Sequence, residues 1–233
     1  MGDALQAGLQ RAQADLAVRA VAPPAPMAPL CRWAKAGRNG GWRDRQKSLE
    51  QRPPGCASAP RCRAVARDAQ TDDRVVIPGA AAGAGLAMAM ACDFRLATAR
   101  AKMTVAFAKV GLAGDYGASY FLTQIVGAAR ARELLMLSPV LTAEQALGLG
   151  LVHRVWADDE FAAQADAFVA SLAEGPTVSL GYIKQNINLA ARSDLATSLT
   201  GEASAQARCM ATDDHAEAAK AFVEKRPPVF RGV

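Results

Sequence analysis

A turn built from glycine and alanine, residues 79–85, constrains the fold of this chain more than any other stretch of its sequence. The turn follows the apolar residues 75–77 and opens the apolar segment AGLAMAMA. In a strand, turn and helix of this kind, the first N–H groups of the helix and the positive end of its dipole point at whatever lies there. The turn therefore predicts an oxyanion site. Close packing of the helix explains the small residues equally well.

The spacing of these glycines excludes a dinucleotide-binding fingerprint. A G-x-G-x-x-G motif that begins at Gly83 requires glycine at position 88, where the chain has Met88. No P-loop lysine follows the turn. We therefore do not expect a nucleotide phosphate to bind at this turn.

From residue 75 the chain alternates strand and helix patterns, and its last third is helical by period. FRLAT and MTVA predict strands, and GDYGASYFLTQIVG predicts a glycine-rich turn that runs into a helix. LVHRVW predicts a further strand. Thr142 and Gln145 have capping-box spacing, and Pro176 marks the start of a later helix. This order predicts an α/β fold in which helices predominate after the strands.

Positive charge and proline are concentrated ahead of this region. Residues 31–67 carry a net charge of +8, which leaves −3 for the rest of a chain whose total is +5. Seven of the twelve prolines lie in residues 23–74, where no helix or strand period is sustained. A basic tract attracts nucleic acid when its charges are spaced to face one way, and these are not. We therefore interpret residues 23–78 as an irregular, solvated basic segment and do not favour nucleic acid as a partner.

Composition also limits the compartment and the metal chemistry. No stretch approaches the roughly 18 consecutive apolar residues of a membrane span, and the polar first twenty residues do not resemble a signal peptide. They predict an amphipathic helix instead. Five scattered cysteines and two histidines form no metal-binding or disulfide pattern. We expect a cytoplasmic protein with reduced thiols, no metal site and no membrane partner.

Several further motifs follow the turn in order. They are GAAAGAGLAMAMACDFRLA from Gly79, AFAKVGL from Ala106, GDYGASYFL from Gly114, TAEQALGLGLVHRV from Thr142 and EKRPPVFRG from Glu224. Together these motifs resemble the enoyl-CoA hydratase/isomerase (crotonase) family over about two thirds of the chain. The resemblance implies a crotonase-like core of ββα repeats at residues 79–172 and a C-terminal helical trimerisation region at 173–233. Residues 1–22 then correspond to an N-terminal helix and a strand remnant.

The resemblance also implies an activity. In this family, two backbone N–H groups polarise a CoA thioester carbonyl and stabilise the enolate that forms from it. Ala84 matches the second of these donors, between Gly83 and Gly85. Hydratases of the family carry two catalytic glutamates, and the matching positions here are Ala87 and Phe107. Neither side chain activates water, so the resemblance favours isomerisation over hydration.

Asp115 matches the position at which isomerase-type members, including ring-epoxide isomerases of phenylacetate catabolism, carry a catalytic aspartate. A carboxylate in an apolar acyl pocket can carry a proton between two carbons of the substrate. The alternative is that Asp115 is the N-cap of the following helix, which its place before a helix pattern also explains; we favour the catalytic role, because no other candidate carboxylate lies nearby. His153 and His215 have no nucleophile motif beside them, so we interpret both as structural or solvated.

The same resemblance implies the other contacts. Gly83 and Gly85 beside the donor, and Phe107, Leu112 and Tyr116 at the acyl group, are expected to bind the substrate. Phe222, Lys225 and Arg226 resemble the segment in which a basic residue contacts the nucleotide end of CoA, and an exposed helix end explains these three residues equally well. No cofactor is expected, because coenzyme A is part of the acyl-CoA substrate. The expected assembly is a homotrimer or hexamer. Hydratase activity and a non-catalytic or RNA-binding relative remain the alternatives.

The resemblance fails at residues 22–78, where family members have the first oxyanion donor. An excess of proline and arginine between two family-like stretches is typical of GC-rich DNA read out of frame. We hypothesise that this segment is frameshifted or mis-called. Resequencing of the gene tests this hypothesis, and a single intact frame without a nearby alternative would disprove it.

Overall fold

Two sheets make up the β structure of residues 20–21 and 72–233, the part of the chain that the computed structural model describes. The larger sheet is parallel throughout, and in the smaller one the middle strand pairs parallel with one neighbour and antiparallel with the other. The larger sheet has the order β1 (Ala20–Val21), β2 (Asp72–Ile77), β4 (Phe94–Thr98), β7 (Arg154–Trp156), and the smaller has β3 (Ala80–Ala82), β5 (Lys102–Thr104), β6 (Leu141–Thr142).

The helices follow the predicted order. A 3₁₀ turn at Ala108–Val110 precedes the second of them. The helices of the described chain are α1 (Ala84–Ala91), α2 (Ala118–Leu137), α3 (Ala143–Gly148), α4 (Phe161–Ala173), α5 (Thr177–Ala190), α6 (Leu195–Met210) and α7 (Asp213–Glu224).

Helix α1 is apolar on every side because it lies inside the core. Leu86, Ala87 and Ala89 are at most 1 % exposed, and Met90 is 3 % exposed. A helix without a polar face is stable only when it is buried. The chain passes from β2 through β3 and α1 to β4, and β2 and β4 are neighbours with Ile77 opposite Ala97. The glycine turn therefore lies between a strand of the smaller sheet and a buried helix.

Helix α2 packs against α1 and is interrupted once. Gly127 has φ 74° and ψ 162°, so the element consists of two helical stretches joined at a kink. Glycine adopts this positive φ without the steric cost that a Cβ brings. The sequence predicts a helix only within GDYGASYFLTQIVG, which ends at Gly127, so the second helical stretch, up to Leu137, is not predicted.

Two compact units divide the described chain. Residues 74–162 belong to one unit, and residues 20–21, 72–73 and 163–233 belong to the other. In the second unit α5 packs on α6 at Gly201, where a Cβ would lie 2.6 Å from Leu189 Cδ2. The boundary that the sequence predicts between the core and the C-terminal helical region lies at residue 172, near the end of α4.

Several local predictions are confirmed. Thr142 and Gln145 form a reciprocal capping box, and Pro176 is the N-cap of α5. Strand β2 begins at Asp72, so the strand expected at residues 75–77 starts three residues earlier; residues 72–73 pair with β1 and residues 74–77 with β4, and none of them is irregular. The predicted N-terminal helix and residues 23–71 lie outside the described residues. Every helix within the described ranges is too short or too polar to span a bilayer.

Candidate functional site

The glycine turn is held in a conformation that requires glycine. Gly83 has φ 54° and ψ −124°, a region that side-chain-bearing residues avoid. Its N–H donates to Thr104 O at 3.0 Å, and its carbonyl accepts the first helical bond from Ala87 N at 3.0 Å. The turn is therefore fixed to β5 on one side and to α1 on the other.

The N-terminus of α1 presents an unused donor. Ala84 is the first residue of the helix, and no side chain caps this end. The first N–H groups of a helix have no intrahelical acceptor. Among the described residues, none accepts a hydrogen bond from Ala84 N–H. Ala84 is half-buried and Gly85 is buried, so this donor lies at a partly desolvated position where it can bind an oxyanion.

Two apolar side chains occupy the positions that match the hydratase glutamates. Ala87 lies one helical turn beyond the donor and is 0 % exposed, and Phe107 is 7 % exposed. Both belong to the main core cluster of this unit. Phe107 follows Ala106, which has φ 59°, a left-handed conformation that costs alanine about 1 kcal/mol. Neither the side chain of Ala87 nor that of Phe107 can therefore ionise or hold a water molecule.

Asp115 lies in the loop between the 3₁₀ turn and α2. Its carboxylate accepts from Tyr116 N at 2.7 Å, and its carbonyl accepts from Ala118 N at 3.0 Å. Gly117 is the N-cap of α2, so Asp115 lies two residues before the cap. The alternative that Asp115 caps this helix is therefore wrong. The turn around Gly117 delays the start of α2 to Ala118, and the half-buried carboxylate bonds locally within the loop.

The expected acyl contacts differ in their surroundings. Tyr116 is half-buried, packs against the main core cluster and has φ 54°. Leu112 is 55 % exposed, although its N–H donates to Phe107 O at 3.0 Å. The structure thus brings Phe107 and Tyr116 to the same core, and it places Leu112 on the surface of the same unit.

The expected nucleotide contacts lie in the other unit. Phe222 is 85 % exposed on α7, and Lys225 ends that helix in a left-handed conformation. Arg226 donates to both carboxylate oxygens of Glu217 and to Glu224 Oε2. These hydrogen bonds raise the pKa of Arg226 and lower the pKa of Glu217 to about 2. Within the described chain Lys225 has no ion pair, so its charge is the more accessible of the two.

Comparison with known proteins decides the family. A family model described as enoyl-CoA hydratase/isomerase matches residues 68–233, well over half of the chain. The chain belongs to the enoyl-CoA hydratase/isomerase family. The match starts four residues before β2 and includes the glycine turn, Asp115 and the C-terminal helices. It confirms the resemblance on which the assignment of the motifs rests.

The chain is also similar to individual proteins and crystal structures named as enoyl-CoA hydratases or isomerases. The chain is 39 % identical to 1,2-epoxyphenylacetyl-CoA isomerase of Escherichia coli (strain K12) over 67 % of its own length and 60 % of the relative's. It is 31 % identical to short-chain-enoyl-CoA hydratase of Clostridium acetobutylicum over 64 % and 58 %. The crystal structure of enoyl-CoA hydratase/isomerase from Cupriavidus metallidurans CH34 has 28 % identity and a TM-score of 0.81, over 99 % of this chain and 86 % of that one.

These comparisons confirm the α/β crotonase-type fold. The chain spans about 60 % of the length of the curated relatives that it matches.

The backbone conformation of Gly117 determines how the chain passes from Asp115 into α2. It has φ 74°, and a Cβ at this position would lie 2.7 Å from Phe121 Cε2. We expect Gly117→Ala to lower the free energy of unfolding by about 1–3 kcal/mol, since strain and a clash combine. Urea unfolding measures the change. Gly148→Ala is the matched control, because no atom lies within 4 Å of its added Cβ. Equal stability of the two variants would contradict this account of Gly117.

His153 has a structural position in this family member. Its Nδ1 accepts from Arg95 N at 3.1 Å, and its ring meets Phe94 edge-on at 5.4 Å between centroids. Burial, followed by the charges of Arg95 and Arg154, lowers the pKa of His153 to about 4. The neutral ring therefore serves as a hydrogen-bond acceptor for β4, in agreement with the structural interpretation.

A pH dependence of stability follows from this lowered pKa. In the unfolded chain the pKa of His153 returns to about 6.5, so the unfolded state takes up the proton first as the pH falls. We expect the free energy of unfolding to decrease between pH 6.5 and pH 4, by about 1–2 kcal/mol after allowance for a half-exposed ring. Urea unfolding at several pH values measures this slope.

Two variants isolate the contribution of His153. His153→Asn keeps an acceptor for Arg95 N–H but does not titrate, so its stability should decrease less in this pH interval. His215→Asn is the control, because His215 is exposed in the first turn of α7. An unchanged slope in His153→Asn would contradict the assignment.

Proposed function

We propose that this family member acts on an acyl-CoA thioester and moves a double bond of the acyl chain through a thioester enolate. The observation that carries the proposal is the distribution of carboxylates. Asp115 supplies one in the loop before α2, whereas Ala87 and Phe107 supply none where the resemblance places the hydratase pair. A single carboxylate is sufficient for proton transfer between carbons, and addition of water normally uses two groups.

The proposed steps assign one role to each group. Ala84 N–H donates to the thioester oxygen, Gly83 allows the turn that exposes this donor, and Gly85, the next residue of α1, contacts the substrate beside it. Asp115 removes a proton from the α-carbon of a 3-enoyl thioester, which forms the dienolate. The same carboxyl group then returns the proton to the γ-carbon, which gives the 2-enoyl thioester. Electrons and protons balance without a redox partner or a cofactor.

The acyl and nucleotide contacts are part of the same proposal. Phe107, Leu112 and Tyr116 contact the acyl group, and Phe222 and Lys225 contact the nucleotide end of CoA. An acyl group that carries a ring is a candidate substrate, since the E. coli relative is named a 1,2-epoxyphenylacetyl-CoA isomerase and two of the three acyl contacts, Phe107 and Tyr116, are aromatic.

A homotrimer or hexamer is the proposed assembly. Apolar side chains that are more than half exposed lie along α5 and α6, and a partner subunit would remove them from water. They are Ile183, Ile187, Leu195 and Leu199.

Product analysis tests the proposed reaction. A cis-3-enoyl-CoA is incubated with the protein, and the products are separated and weighed by mass spectrometry. Isomerisation gives a trans-2-enoyl-CoA of unchanged mass, as the proposal expects. A protein that leaves cis-3-enoyl-CoA unchanged but converts trans-2-enoyl-CoA to a 3-hydroxyacyl-CoA, one water heavier, would favour the hydratase activity named among the relatives and contradict the proposal.

Thermal-shift titration tests the non-catalytic alternative. A ligand that binds only the folded state raises the melting temperature as its concentration increases. The proposal expects this response to acyl-CoA. A response to RNA instead, with a steep dependence on salt, would favour the RNA-binding alternative.

A further inference from the structure

Arg95 is a buried arginine that has no part in the proposed reaction or in the proposed substrate contacts. It lies on β4, is 5 % exposed, and its burial lowers its pKa. Its Nη1 donates to Cys92 O at 2.5 Å, and its Nε donates to Leu151 O at 2.8 Å. Burial of a guanidinium costs several kcal/mol unless it is hydrogen-bonded, so these contacts account for its presence in the core.

One of these contacts holds the C-terminal end of α1. Cys92 is the C-cap of α1, where the helix dipole is negative. Helix α1 has no basic residue in its own last turn. Arg95 therefore supplies from β4 the positive charge that the helix lacks. Cys92 N also donates to Ala89 O at 3.2 Å, which closes this end of the helix.

The two ends of α1 differ as a result. At the C-terminal end, Arg95 and Cys92 bind the helix carbonyls. At the N-terminal end, the described chain gives Ala84 N–H no acceptor. A helix of eight residues is about 12 Å long and behaves as a rigid rod. A displacement of its C-terminal end therefore moves Ala84 as well.

The same residue is fixed to the segment before β7. Arg95 N donates to His153 Nδ1 at 3.1 Å, and His153 N donates to Arg95 O at 2.8 Å. With the bond to Leu151 O, Arg95 links α1, β4 and residues 151–153. These contacts leave the guanidinium little freedom to move relative to the sheet.

We propose that Arg95 is a positioning residue for the thioester oxygen: it fixes the C-terminal end of α1 and thereby the direction of Ala84 N–H. This inference rests on the proposed function, in which that N–H binds the thioester carbonyl. A misplacement of about 1 Å at a reacting group can cost about a hundredfold in rate. We therefore expect Arg95→Met to lower kcat about tenfold to a hundredfold and to leave KM nearly unchanged.

A spectroscopic readout separates positioning from folding. The carbonyl stretch of ¹³C-labelled 2,4-hexadienoyl-CoA shifts to lower frequency when hydrogen bonds polarise it. We expect a large shift on binding to the unaltered protein and a smaller one with Arg95→Met. Affinity for hexyl-CoA, a thioether without a carbonyl, should stay within about twofold, since RT ln 2 is only a few tenths of a kcal/mol. Arg95→Lys, which keeps one charged donor, should restore part of the shift.

The carbonyl shift and kcat are also measured in a control variant. Arg154→Met is the control, because Arg154 is exposed on the neighbouring strand and donates to the adjacent carbonyl of His153; its carbonyl shift and kcat should equal those of the unaltered protein. A full carbonyl shift in folded Arg95→Met would overturn the proposal. Unfolding of both Arg95 variants would assign the residue to stability alone and overturn it too. Absence of any shift in the unaltered protein would instead reject the proposed function.

Discussion

Replacement of Asp115 by asparagine is expected to lower kcat for double-bond migration by about 10²–10⁴-fold, the usual contribution of a general acid–base group. The amide oxygen can still accept from Tyr116 N, which now bonds to the carboxylate at 2.7 Å, so the loop should keep its shape. Binding should therefore change little. Steady-state kinetics with a cis-3-enoyl-CoA, together with calorimetric titration of a saturated acyl-CoA, measure the two quantities separately.

A second aspartate provides the control for this experiment. Asp158 forms a surface ion pair with Arg100 at 2.9 Å, and both side chains are well exposed. Asp158→Asn should leave kcat unchanged, because surface pairs contribute little. Retention of more than about a tenth of kcat by Asp115→Asn would reject Asp115 as the base, since general catalysis is worth at least 10²-fold.

Replacement of Ala84 by proline is expected to remove the oxyanion donor and lower kcat by about 10²–10³-fold. Proline at the first position of a helix is well tolerated, because its missing N–H has no intrahelical acceptor there. Gly83, the preceding residue, has no Cβ for the proline ring to clash with, and its ψ of −124° is far from the α region that a following proline disfavours. The variant therefore deletes one hydrogen atom from the site without disrupting α1, as circular dichroism and thermal melting can verify.

Ala84→Ser is the matched control for the proline variant. It retains the backbone N–H and adds only a small side chain at a half-buried position, so kcat should fall by less than about threefold, within the range of ordinary surface substitutions. An Ala84→Pro variant that folds and turns over at the original rate would show that this N–H does not bind the thioester. Equal losses in both variants would point to packing at residue 84 as the cause.

Local signals in the sequence predict much of the fold. The capping box of Thr142 and Gln145, the proline at position 176 and the apolar period of AGLAMAMA are short-range features, and each leads to the observed element. The LVHRVW pattern gave a strand that is too long. Only Arg154–Trp156 forms β7, because Leu151 and Val152 donate to Ala146 O instead of to a strand; His153 N donates to Arg95 O of β4 just before β7 begins.

The candidate site was less completely predictable, because local sequence patterns do not report contacts between residues that are distant in the chain. Motif order places Ala84, Phe107 and Asp115, but the partners of Arg95 lie as far as 58 residues away in the chain, so no local pattern indicates its role. A charge within the apolar strand FRLAT is the one signal that was available, since such a charge requires buried partners. The left-handed conformations of Ala106 and Tyr116 are imposed by tertiary contacts, because neither residue type prefers them.

Solvent-isotope labelling tests the central claim, migration of the double bond through an enolate, most directly. A cis-3-enoyl-CoA is converted in D₂O that also contains H₂¹⁸O, and NMR and mass spectrometry locate the labels in the product. The account predicts a trans-2-enoyl-CoA that carries no ¹⁸O in the acyl chain and in which any deuterium lies at the α- or γ-carbon. A protein that leaves the cis-3-enoyl-CoA unconverted but adds ¹⁸O to the β-carbon of a trans-2-enoyl-CoA supplied in its place would contradict the account and establish hydration.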